Sequence, residues 1–478
     1  MAERMHRTVI VGGGISGLTA AYRLVKEGVE HHEVWLFEKD TRVGGVIQSD
    51  VQDGVVLEGG PDSLLLRKPE AVDLVREVGL GDTLIGTNPK VRGSYIFRRG
   101  RFHEIPAGLQ VGIPTGLDTI WKSDLLSWQE KSRLLWDFIL PRQPIGEDIA
   151  LGRLLRYRFG NGIVDTLIAP MLAGIYAGDI DQLSTRMTVP QLLEFQARDR
   201  SLIRAAYRAY KAQPKPPASP SASSGGIRGI FATVSDGLEH LVRQVADRIT
   251  QYGGVIHTGQ AVVAVEAHGP HQYAVILADG RRIDADQVLL AVPAHIAARL
   301  VESWNRDLAE PLEEIPYADL AVIGAVYRPT AFSRPLDKTG FLVPKTEGLG
   351  MTAGTWVRSK WDYPETVEWV PIRAFYGRAG DTTLLSLSDD ALLARYRQEL
   401  AFIMGVTDSP EYARVFRIPR AMPQYVVGHK SRVDRLRTQL TRWPGFFLTG
   451  SYWDGVGIPD CIRSATSVAL MMRQEWSD

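Results

Sequence analysis

Residues 7–17, RTVIVGGGISG, decide the fold of this chain because they join a strand to a helix through three consecutive glycines. Residues 7–12 are rich in β-branched side chains and predict a buried strand, and residues 15–27 predict a helix that Gly28 ends. A second strand is expected at 33–38, EVWLFE. This order of strand, glycine turn, helix and strand predicts an α/β fold that opens with a nucleotide-binding unit.

The glycines of the turn satisfy the dinucleotide-binding fingerprint at Gly12, Gly14 and Gly17. The first glycine permits a tight turn, the second lets the backbone approach a pyrophosphate, and the third lets the helix pack on the strand. Glu38 ends the second strand about twenty residues further on, where a carboxylate can accept ribose hydroxyls. The predicted cofactor contacts in this unit are Gly12, Gly13, Gly14, Ile15, Ser16, Gly17, Glu38 and Lys39.

The residues beyond this unit distinguish FAD from NAD. Arg42-Val43-Gly44-Gly45 is an RxGG element that resembles the amine-oxidase-like FAD superfamily and is not expected in a plain NAD domain. Residues 58–61, EGGP, and 455–459, GVGIP, resemble the same superfamily, and the second would place backbone amides near the flavin. The FAD contacts that this resemblance implies are Arg42, Gly44, Gly45, Gly60, Pro61, Asp62, Ser63, Val262, Gly450, Val456, Gly457 and Ile458.

Further elements of the nucleotide-binding unit are spread along the chain. Residues 46–58 predict a hairpin around Asp53-Gly54, and residues 69–78 predict a helix that begins at a proline. Residues 254–292 alternate strands and turns, and 446–450 predict a strand that leads into a final helix. Two distant segments are therefore expected to complete one domain.

The middle of the chain has a helical pattern from about residue 121 to residue 210. Ser127 and Glu130 form a capping box, and the apolar face expected after it comprises Leu134, Leu135, Phe138 and Ile139. The charges between Trp121 and Leu140 fit an amphipathic helix of a soluble protein at least as well as a membrane contact. Residues 211–226, KAQPKPPASPSASSGG, predict a mobile surface loop.

The expected fold class is α/β with several domains, namely a Rossmann-like FAD-binding domain, an inserted substrate-binding domain of mixed sheet and helices, and a helical subdomain. The FAD-binding domain is discontinuous. The predicted ranges are 1–86, 225–300 and 411–478 for the FAD-binding domain, 87–118 and 301–410 for the substrate-binding domain, 119–210 for the helical subdomain, and 211–226 for the loop.

Composition limits the partners of the chain. The 55 Lys and Arg residues balance the 55 Asp and Glu residues, so net charge predicts neither nucleic-acid binding nor general attraction to anionic membranes. Cys461 is the single cysteine, which fits a reducing compartment and predicts a cytoplasmic protein. The ten histidines show no metal-binding spacing, so no metal is expected, and no apolar run is long enough to span a bilayer.

Four motifs together resemble one family, the soluble Gram-positive type of protoporphyrinogen/coproporphyrinogen oxidase of haem biosynthesis. They are spread over nearly the whole length of the chain. The motifs are GGPDSLLLRKPEA at 59–71, PMLAGIYAGDIDQLS at 170–184, AMPQYVVGHKSR at 421–432 and GSYWDGVGIPDCI at 450–462.

The resemblance implies an FAD-dependent oxidation of a porphyrinogen, in three two-electron steps, with molecular oxygen as the acceptor and peroxide as its product. It also implies Lys68 as the catalytic residue, acting as a substrate anchor or electrostatic aid, with Arg67 as a second cation for the propionates. Ile175 and Tyr176 would face the macrocycle, although a role in the core is almost as well supported by their sequence. Coproporphyrinogen III is the preferred substrate, with activity on protoporphyrinogen IX and transient contact with other haem-pathway enzymes also expected.

Two other functional hypotheses remain open at this point. The same fold serves amine oxidases and carotenoid-type desaturases, so a different organic substrate is an alternative. A flavin-binding scaffold without turnover is the second alternative, because a cofactor motif alone does not establish catalysis.

Overall fold

The structure is a computed structural model, and the residues that it describes are 5–28, 31–110, 112–144, 146, 148–212, 227, 229–363, 368–381 and 383–477.

The strands are numbered in chain order. They are β1 (His6–Val11), β2 (His32–Phe37), β3 (Ser49–Gln52), β4 (Val55–Glu58), β5 (Leu64–Leu65), β6 (Leu84–Gly86), β7 (Tyr95–Arg98), β8 (Arg101–Glu104), β9 (Leu109–Gln110), β10 (Ile113–Pro114), β11 (Phe231–Val234), β12 (Val255–His257), β13 (Val262–Gly269), β14 (Gln272–Leu277), β15 (Arg282–Ala285), β16 (Gln287–Leu290), β17 (Tyr317–Tyr327), β18 (Gly340–Leu342), β19 (Met351–Trp356), β20 (Val370–Tyr376), β21 (Tyr412–Pro423) and β22 (Phe446–Leu448).

The helices are numbered in the same way. They are α1 (Ile15–Lys26), α2 (Glu70–Glu77), α3 (Asp118–Lys122), α4 (Trp128–Arg133), α5 (Leu151–Phe159), α6 (Asn161–Ile163), α7 (Ala169–Tyr176), α8 (Thr185–Thr188), α9 (Gln191–Arg198), α10 (Leu202–Ala212), α11 (Leu238–Gln251), α12 (Ala294–Val301), α13 (Arg306–Glu313), α14 (Val357–Lys360), α15 (Asp389–Met404), α16 (His429–Leu440) and α17 (Ile458–Ser477).

The nucleotide-binding core is a parallel sheet of five strands in the order β12-β2-β1-β16-β22. Helices α1, α2, α11 and α17 pack on one face of it, and α12, α13 and α16 pack on the other. The predicted α/β class, the first strand and helix, and the return of the chain at 254–292 and 446–450 are confirmed. Because all five strands are parallel, their carboxyl ends meet at one edge of the sheet.

An antiparallel hairpin and a small antiparallel sheet extend this region. Strands β3 and β4 form the predicted hairpin around Asp53-Gly54, where both residues adopt positive φ. Strands β13, β14 and β15 form a small antiparallel sheet between β12 and β16. The helix predicted at 69–78 is α2, and Pro69 is its N-cap residue.

A second large sheet has seven strands in the order β21-β17-β20-β19-β18-β7-β8. Its core packs against α15 and contains buried aromatic side chains such as Trp356 and Tyr396. Strand β21 was predicted to lie in the FAD-binding segment 411–478, but it pairs along its length with β17. The strand pairing therefore favours placing residues 412–423 with the substrate-binding segments, and the domain division as a whole stays a prediction.

The middle of the chain is helical from α3 to α10, with its own buried core. The capping box of Ser127 and Glu130 is present at the start of α4. The single apolar face predicted after it is wrong, because the chain tightens into a 3-10 turn at 134–138 that leaves Leu135 45% exposed and Ile139 62% exposed. Of the loop predicted at 211–226, the first two residues end α10, and residues 213–226 lie outside the described residues.

Candidate active site

The glycine turn lies at the carboxyl edge of the parallel sheet, between β1 and α1. Gly12 has φ of 109°, and a Cβ atom on Gly17 would lie 1.9 Å from the Gly12 carbonyl oxygen, so both positions require glycine. A Cβ atom on Gly14 would meet no described atom within 4 Å. The backbone at Gly14 therefore faces open space, as expected where a pyrophosphate approaches.

The N-terminal end of α1 is free to bind an anion. Within the described residues, no side chain caps Gly14, and the first turn contains no acidic residue. Unpaired N–H groups and the positive end of the helix dipole favour a phosphate at this place. The side chains of Ile15 and Ser16 are buried, and Ile15 belongs to the core that includes α17, so the backbone of these two residues is better suited to such a contact.

Glu38 is buried directly beside the turn. Its two carboxylate oxygens accept hydrogen bonds from the backbone N–H of Gly13, at 2.7 Å, and of Asp40, at 2.9 Å. Each oxygen keeps a lone pair for a further donor such as a ribose hydroxyl. Lys39 instead is exposed and pairs with Asp40, so its side chain is not brought into this site.

The RxGG element folds against the glycine turn. The Gly44 N–H donates to the Gly13 carbonyl oxygen at 2.8 Å, and the Arg42 guanidinium donates to the carbonyl oxygens of Gly45 and Ile47 at 2.6 and 3.0 Å. Gly44 and Gly45 both have positive φ. Arg42 thus holds the shape of a glycine loop that lies alongside the predicted pyrophosphate site.

The remaining predicted FAD residues approach the same edge from three directions. The Gln260 N–H, two residues before Val262, donates to the Glu38 carbonyl oxygen at 2.9 Å. Gly450 follows β22, and Val456, Gly457 and Ile458 lead into α17, which packs on α1. A Cβ atom on Gly60 would lie 1.9 Å from the Val46 carbonyl oxygen, so the EGGP loop contacts the RxGG loop closely.

Asp62 and Ser63 are predicted to contact the cofactor, but their side chains bind cationic residues from the part of the chain that forms the seven-stranded sheet. The Lys360 ammonium lies 2.8 Å from each oxygen of Asp62 and 2.9 Å from the Ser63 hydroxyl, and the Arg373 guanidinium lies 2.6 Å from Asp62. We call Asp62, Lys360 and Arg373 the Asp62 cluster. Burial would raise the pKa of Asp62, yet the two cations hold it well below its ordinary value.

Arg373 also fastens the loop that carries Asp62. Its guanidinium donates to the carbonyl oxygens of Glu58 and Gly60 at 2.8 and 2.5 Å. The Glu58 side chain accepts hydrogen bonds from the Ser49 hydroxyl at 2.6 Å and the Leu238 N–H at 2.7 Å. Burial raises the pKa of Glu58 to about 7, against the lowering effect of these two donors. Pro61 lies in the same loop and is partly exposed.

Lys68 does not point freely into solvent. Its ammonium lies 2.7 and 2.6 Å from the two carboxylate oxygens of Asp460, and Arg463 pairs with the same carboxylate. The Arg463 guanidinium also lies 3.1 Å from Glu70. We call Lys68, Asp460, Arg463 and Glu70 the Asp460 network; it joins the GGPDS segment to the first turn of α17.

The other predicted substrate residues are divided between surface and interior. Arg67 is exposed, and Ile175 is 54% exposed at the end of α7. Tyr176 donates to the Thr188 carbonyl oxygen at 3.2 Å, and burial raises the pKa of its hydroxyl to about 12, with the Asp460 carboxylate adding to the shift. Tyr176 is therefore close in space to the Asp460 network, whereas its neighbour Ile175 is available for an apolar ligand.

Sequence reasoning missed the partners of these residues. Lys360 and Arg373 lie 298 and 313 residues from the groups that they bind in the EGGPDS loop, and no motif marks them. Asp460 lies inside the recognised 450–462 motif, where a carboxylate next to a predicted flavin turn was a signal that could have been used.

Two further expectations concern metals and membranes. Among the described residues, no group of three or more His, Cys, Asp and Glu side chains is placed to hold a metal ion. In the same part of the chain, no helix is long and apolar enough to cross a membrane. Cys461 is buried in α17, and burial raises the pKa of its thiol to about 12, which agrees with a packing role rather than an activated thiolate.

The residues present fit FAD. The open space at Gly14, the uncapped start of α1, and the buried Glu38 carboxylate match the pyrophosphate and ribose of a dinucleotide. The RxGG loop contacts both the glycine turn and the EGGP loop beside that place, where the resemblance expects the flavin end.

Comparisons with known proteins agree with this assignment. Residues 15–471 match the flavin-containing amine oxidoreductases. The chain is 34% identical to coproporphyrinogen III oxidase of Bacillus subtilis (strain 168), over 98% of this chain and 99% of the relative. It is 27% identical to protoporphyrinogen oxidase of Homo sapiens, over 98% of each chain.

Solved structures give the same result. A crystal structure of an Exiguobacterium sp. 255-15 protein described as a protoporphyrinogen oxidase covers 100% of both chains, with a TM-score of 0.85 and 32% identity. Putrescine oxidase bound to putrescine covers 98% of this chain and 99% of its own, with a TM-score of 0.64 and 16% identity, and so shares the fold. The chain therefore belongs to the flavin-containing amine oxidoreductase family.

Proposed function

We propose that this protein is an FAD-dependent oxidase of coproporphyrinogen III that forms coproporphyrin III in haem biosynthesis. The substrate loses six electrons and six protons over three cycles. Three molecules of oxygen each take two electrons and two protons and leave as hydrogen peroxide, so the reaction balances. FAD, when bound, accepts two electrons from the substrate in each cycle.

The observation that carries the proposal is similarity along the whole chain to curated coproporphyrinogen III oxidases, at 34% identity for the Bacillus subtilis protein and 30% for that of Staphylococcus aureus (strain NCTC 8325 / PS 47). The match includes the segments that contribute Lys68, Tyr176 and Asp460, and is not confined to the nucleotide-binding core. Amine oxidases share the fold at 16% identity, so they support the architecture rather than the substrate.

The proposed roles toward FAD follow from the contacts of the edge of the parallel sheet. The backbone of Gly13 and Gly14 and the start of α1 would hold the pyrophosphate, and the Glu38 carboxylate would accept the ribose hydroxyls. The loops that contain Gly44, Gly45 and Gly60, and the turn before α17, would flank the flavin. Val262, Gly450, Val456 and Ile458 stay predicted contacts of the same cofactor.

The proposed roles toward the substrate separate charge from apolar contact. Lys68 would bind a propionate at the rim, and exposed Arg67 would supply a second cation. Ile175 would pack on the macrocycle, while Tyr176, fixed by Thr188, would support that contact from behind. No general base is assigned to the chain, because water can accept the proton that accompanies each hydride transfer.

Cytoplasmic location and transient contact with other haem-pathway enzymes stay predictions. The single cysteine supports the first, because a protein of a reducing compartment has no use for disulfides.

The proposal is tested by mixing the purified yellow protein anaerobically with coproporphyrinogen III and following the flavin absorbance. We expect bleaching, and then recovery of the flavin colour with formation of one porphyrin per three peroxides when oxygen is admitted. An unbleached flavin would refute the proposal, and bleaching by amines or carotenoids instead would favour the alternative enzymes.

A matched pair of variants controls for the cofactor site. Gly14 has an ordinary φ of −73° and open space around its Cβ position, so Gly14→Val should fold yet fail to retain FAD, because the new side chain occupies the pyrophosphate approach. Gly146→Val, at a position outside the predicted FAD segments where a Cβ atom also meets no described atom within 4 Å, should retain FAD. Retention of yellow colour by Gly14→Val would contradict the assigned cradle.

A separate experiment tests which porphyrinogen the protein prefers. Coproporphyrinogen III has four propionates and protoporphyrinogen IX has two, and each added ion pair at an exposed rim contributes on the order of 1 kcal/mol. We therefore expect a modest preference in kcat/KM for coproporphyrinogen III that decreases at high salt. A clear preference for protoporphyrinogen IX at both low and high salt would refute this choice.

A further inference from the structure

The Lys68 ammonium is held in place because both oxygens of one carboxylate contact it from the same side. Its nitrogen lies 2.7 and 2.6 Å from the two oxygens of Asp460. An ammonium has three N–H donors, and the two oxygens of one carboxylate lie on the same side of it, so at least one donor is left for another acceptor. The Lys68 side chain is 40% exposed, whereas that of Asp460 is 7% exposed. The remaining donor is therefore on the accessible member of the pair.

Asp460 keeps its own charge balanced through a second cation. The Arg463 guanidinium pairs with Asp460 and also lies 3.1 Å from Glu70, so charges of opposite sign alternate through the Asp460 network. A buried carboxylate with a single partner would be costly if that partner were drawn elsewhere. With Arg463 present, Lys68 can engage another anion without leaving Asp460 unpaired.

Asp460 is also fixed in place by the turn before α17. A Cβ atom on Gly455 would lie 2.6 Å from the Asp460 Cγ atom, and one on Gly457 would lie 3.1 Å from its Oδ2 atom. The Asp460 carboxylate acts electrostatically on Tyr176, in the segment that we assign to the substrate. Asp460 thus lies where the predicted flavin turn and the predicted substrate segment meet.

We propose that Asp460 is a positioning residue, which holds the Lys68 ammonium through both of its carboxylate oxygens so that a remaining N–H donor binds a carboxylate of the substrate. Arg463 keeps Asp460 paired while Lys68 shares its charge with that carboxylate. This inference rests on the proposed function, since it requires a substrate with acidic side chains. No covalent step or proton transfer is involved.

The test compares Asp460→Asn with the wild-type holoenzyme. The amide presents an N–H group toward Lys68 in place of one accepting oxygen, so the ammonium loses its fixed orientation. Loss of one charge-assisted hydrogen bond to the substrate predicts about a tenfold increase in KM for coproporphyrinogen III, with kcat nearly unchanged. The Kd of coproporphyrin III, measured by fluorescence titration without turnover, should rise by the same factor. The flavin spectrum and the FAD content should not change.

Asp434→Asn is the matched control. Asp434 forms an exposed lysine–aspartate pair with Lys430 on α16, outside the site, so its loss should change neither KM nor Kd.

A double-mutant cycle separates positioning from a structural role. If Asp460 acts through Lys68, Asp460→Asn should have no further effect on Kd in a Lys68→Met background. Equal effects of Asp460→Asn in both backgrounds would overturn the proposal, as would an unchanged Kd in the single variant. Since Kd is compared with that of a wild type shown to bleach with the same substrate, failure of the proposed function is recognised beforehand.

A second variant applies if Asp460→Asn does not retain FAD. In Lys68→Arg the guanidinium can bind Asp460 with two N–H groups and still has donors for a substrate carboxylate. It should therefore keep Kd within about threefold of the wild type, while Lys68→Met weakens binding about tenfold. Equal weakening by the two substitutions would overturn the proposal.

Discussion

The Asp62 cluster and the Asp460 network begin only six positions apart in the chain, at Asp62 and Lys68, yet they differ in burial and in charge balance. The Asp62, Lys360 and Arg373 side chains are 12%, 15% and 1% exposed, with two cations for one carboxylate. In the Asp460 network, Lys68 and Arg463 are 40% and 43% exposed and opposite charges alternate. The first arrangement is closed to solvent, and the second can share a charge with a ligand.

This difference assigns separate tasks to two groups of similar residues. The Asp62 cluster fixes the EGGPDS loop on the seven-stranded sheet. Removal of one partner from such a buried cluster leaves an uncompensated charge and is therefore destabilising. A half-exposed cation remains solvated when its partner changes, so its pairing adds little to stability. Substitutions in the Asp62 cluster should therefore lower the stability more, and substitutions in the Asp460 network should weaken substrate binding more.

The largest effect on stability is expected for Asp62→Ala. This substitution leaves Lys360 and Arg373 buried without their carboxylate, and should lower the free energy of unfolding by about 3–5 kcal/mol. Urea denaturation followed by far-ultraviolet circular dichroism measures it. Asp279→Ala, which removes an exposed partner of Arg281, is the control and should leave the free energy of unfolding nearly unchanged. If Asp62→Ala lowered the free energy of unfolding no more than Asp279→Ala does, the distinction between the Asp62 cluster and the Asp460 network would be wrong.

An intermediate effect is expected from the pH dependence of Glu58, which lies at the margin of the Asp62 cluster. Burial raises its pKa from 4.5 to about 7, so between these pH values the folded protein holds a proton that the unfolded chain releases. The Glu58 contribution to the free energy of unfolding therefore falls as pH rises through this window, by at most about 3 kcal/mol, and is constant above it.

Glu58→Gln provides the measurement, because the amide cannot titrate. The stability of the wild type minus that of the variant should decrease from pH 4.5 to pH 7 in urea titrations. A difference that is independent of pH would show that Glu58 titrates at its ordinary pKa.

The smallest effect on stability is expected for Lys68→Met. Asp460 keeps Arg463, and the exposed ammonium was partly solvated, so the free energy of unfolding should change by less than about 1 kcal/mol. The same urea denaturation checks this, beside the weakened binding of coproporphyrin III predicted above. A loss of several kcal/mol would place Lys68 with the buried cluster and remove the distinction.

The sequence predicts well whatever is specified by neighbouring residues. Gly12, Gly14 and Gly17 mark a turn within six positions, and Asp53-Gly54 marks a hairpin, because positive φ and close packing are local demands. Tertiary packing is different: Leu135 and Ile139 have the spacing of a buried helix face, but a 3-10 turn leaves them exposed. Whether a neighbour covers a side chain cannot be read from its periodicity.

The site divides in the same way. The cofactor edge is predictable because the glycine turn, Glu38 and the RxGG loop follow one another within the first forty-five residues. Lys360 and Arg373 reach Asp62 only because strand β20 and helix α14 pack against the EGGPDS loop from about 300 positions away. Their identities as lysine and arginine carry no local signal of that partner. The pairing of β21 with β17 has no local signal for the same reason, since the two strands are distant in sequence.

The buried position of Cys461 gives the native chain a built-in reporter of local opening. It is the only cysteine, it lies in α17 where that helix packs on α1, and burial raises the pKa of its thiol to about 12. A thiol of an unfolded segment has a pKa of about 8.5, so near that pH much of it is the thiolate that reacts with disulfide reagents. The rate of thiol labelling therefore measures how often the seam between the first and the last helix opens, with no engineered residue. Comparison of the labelling rates with and without FAD gives the free energy by which the bound cofactor stabilises the contact between these two helices.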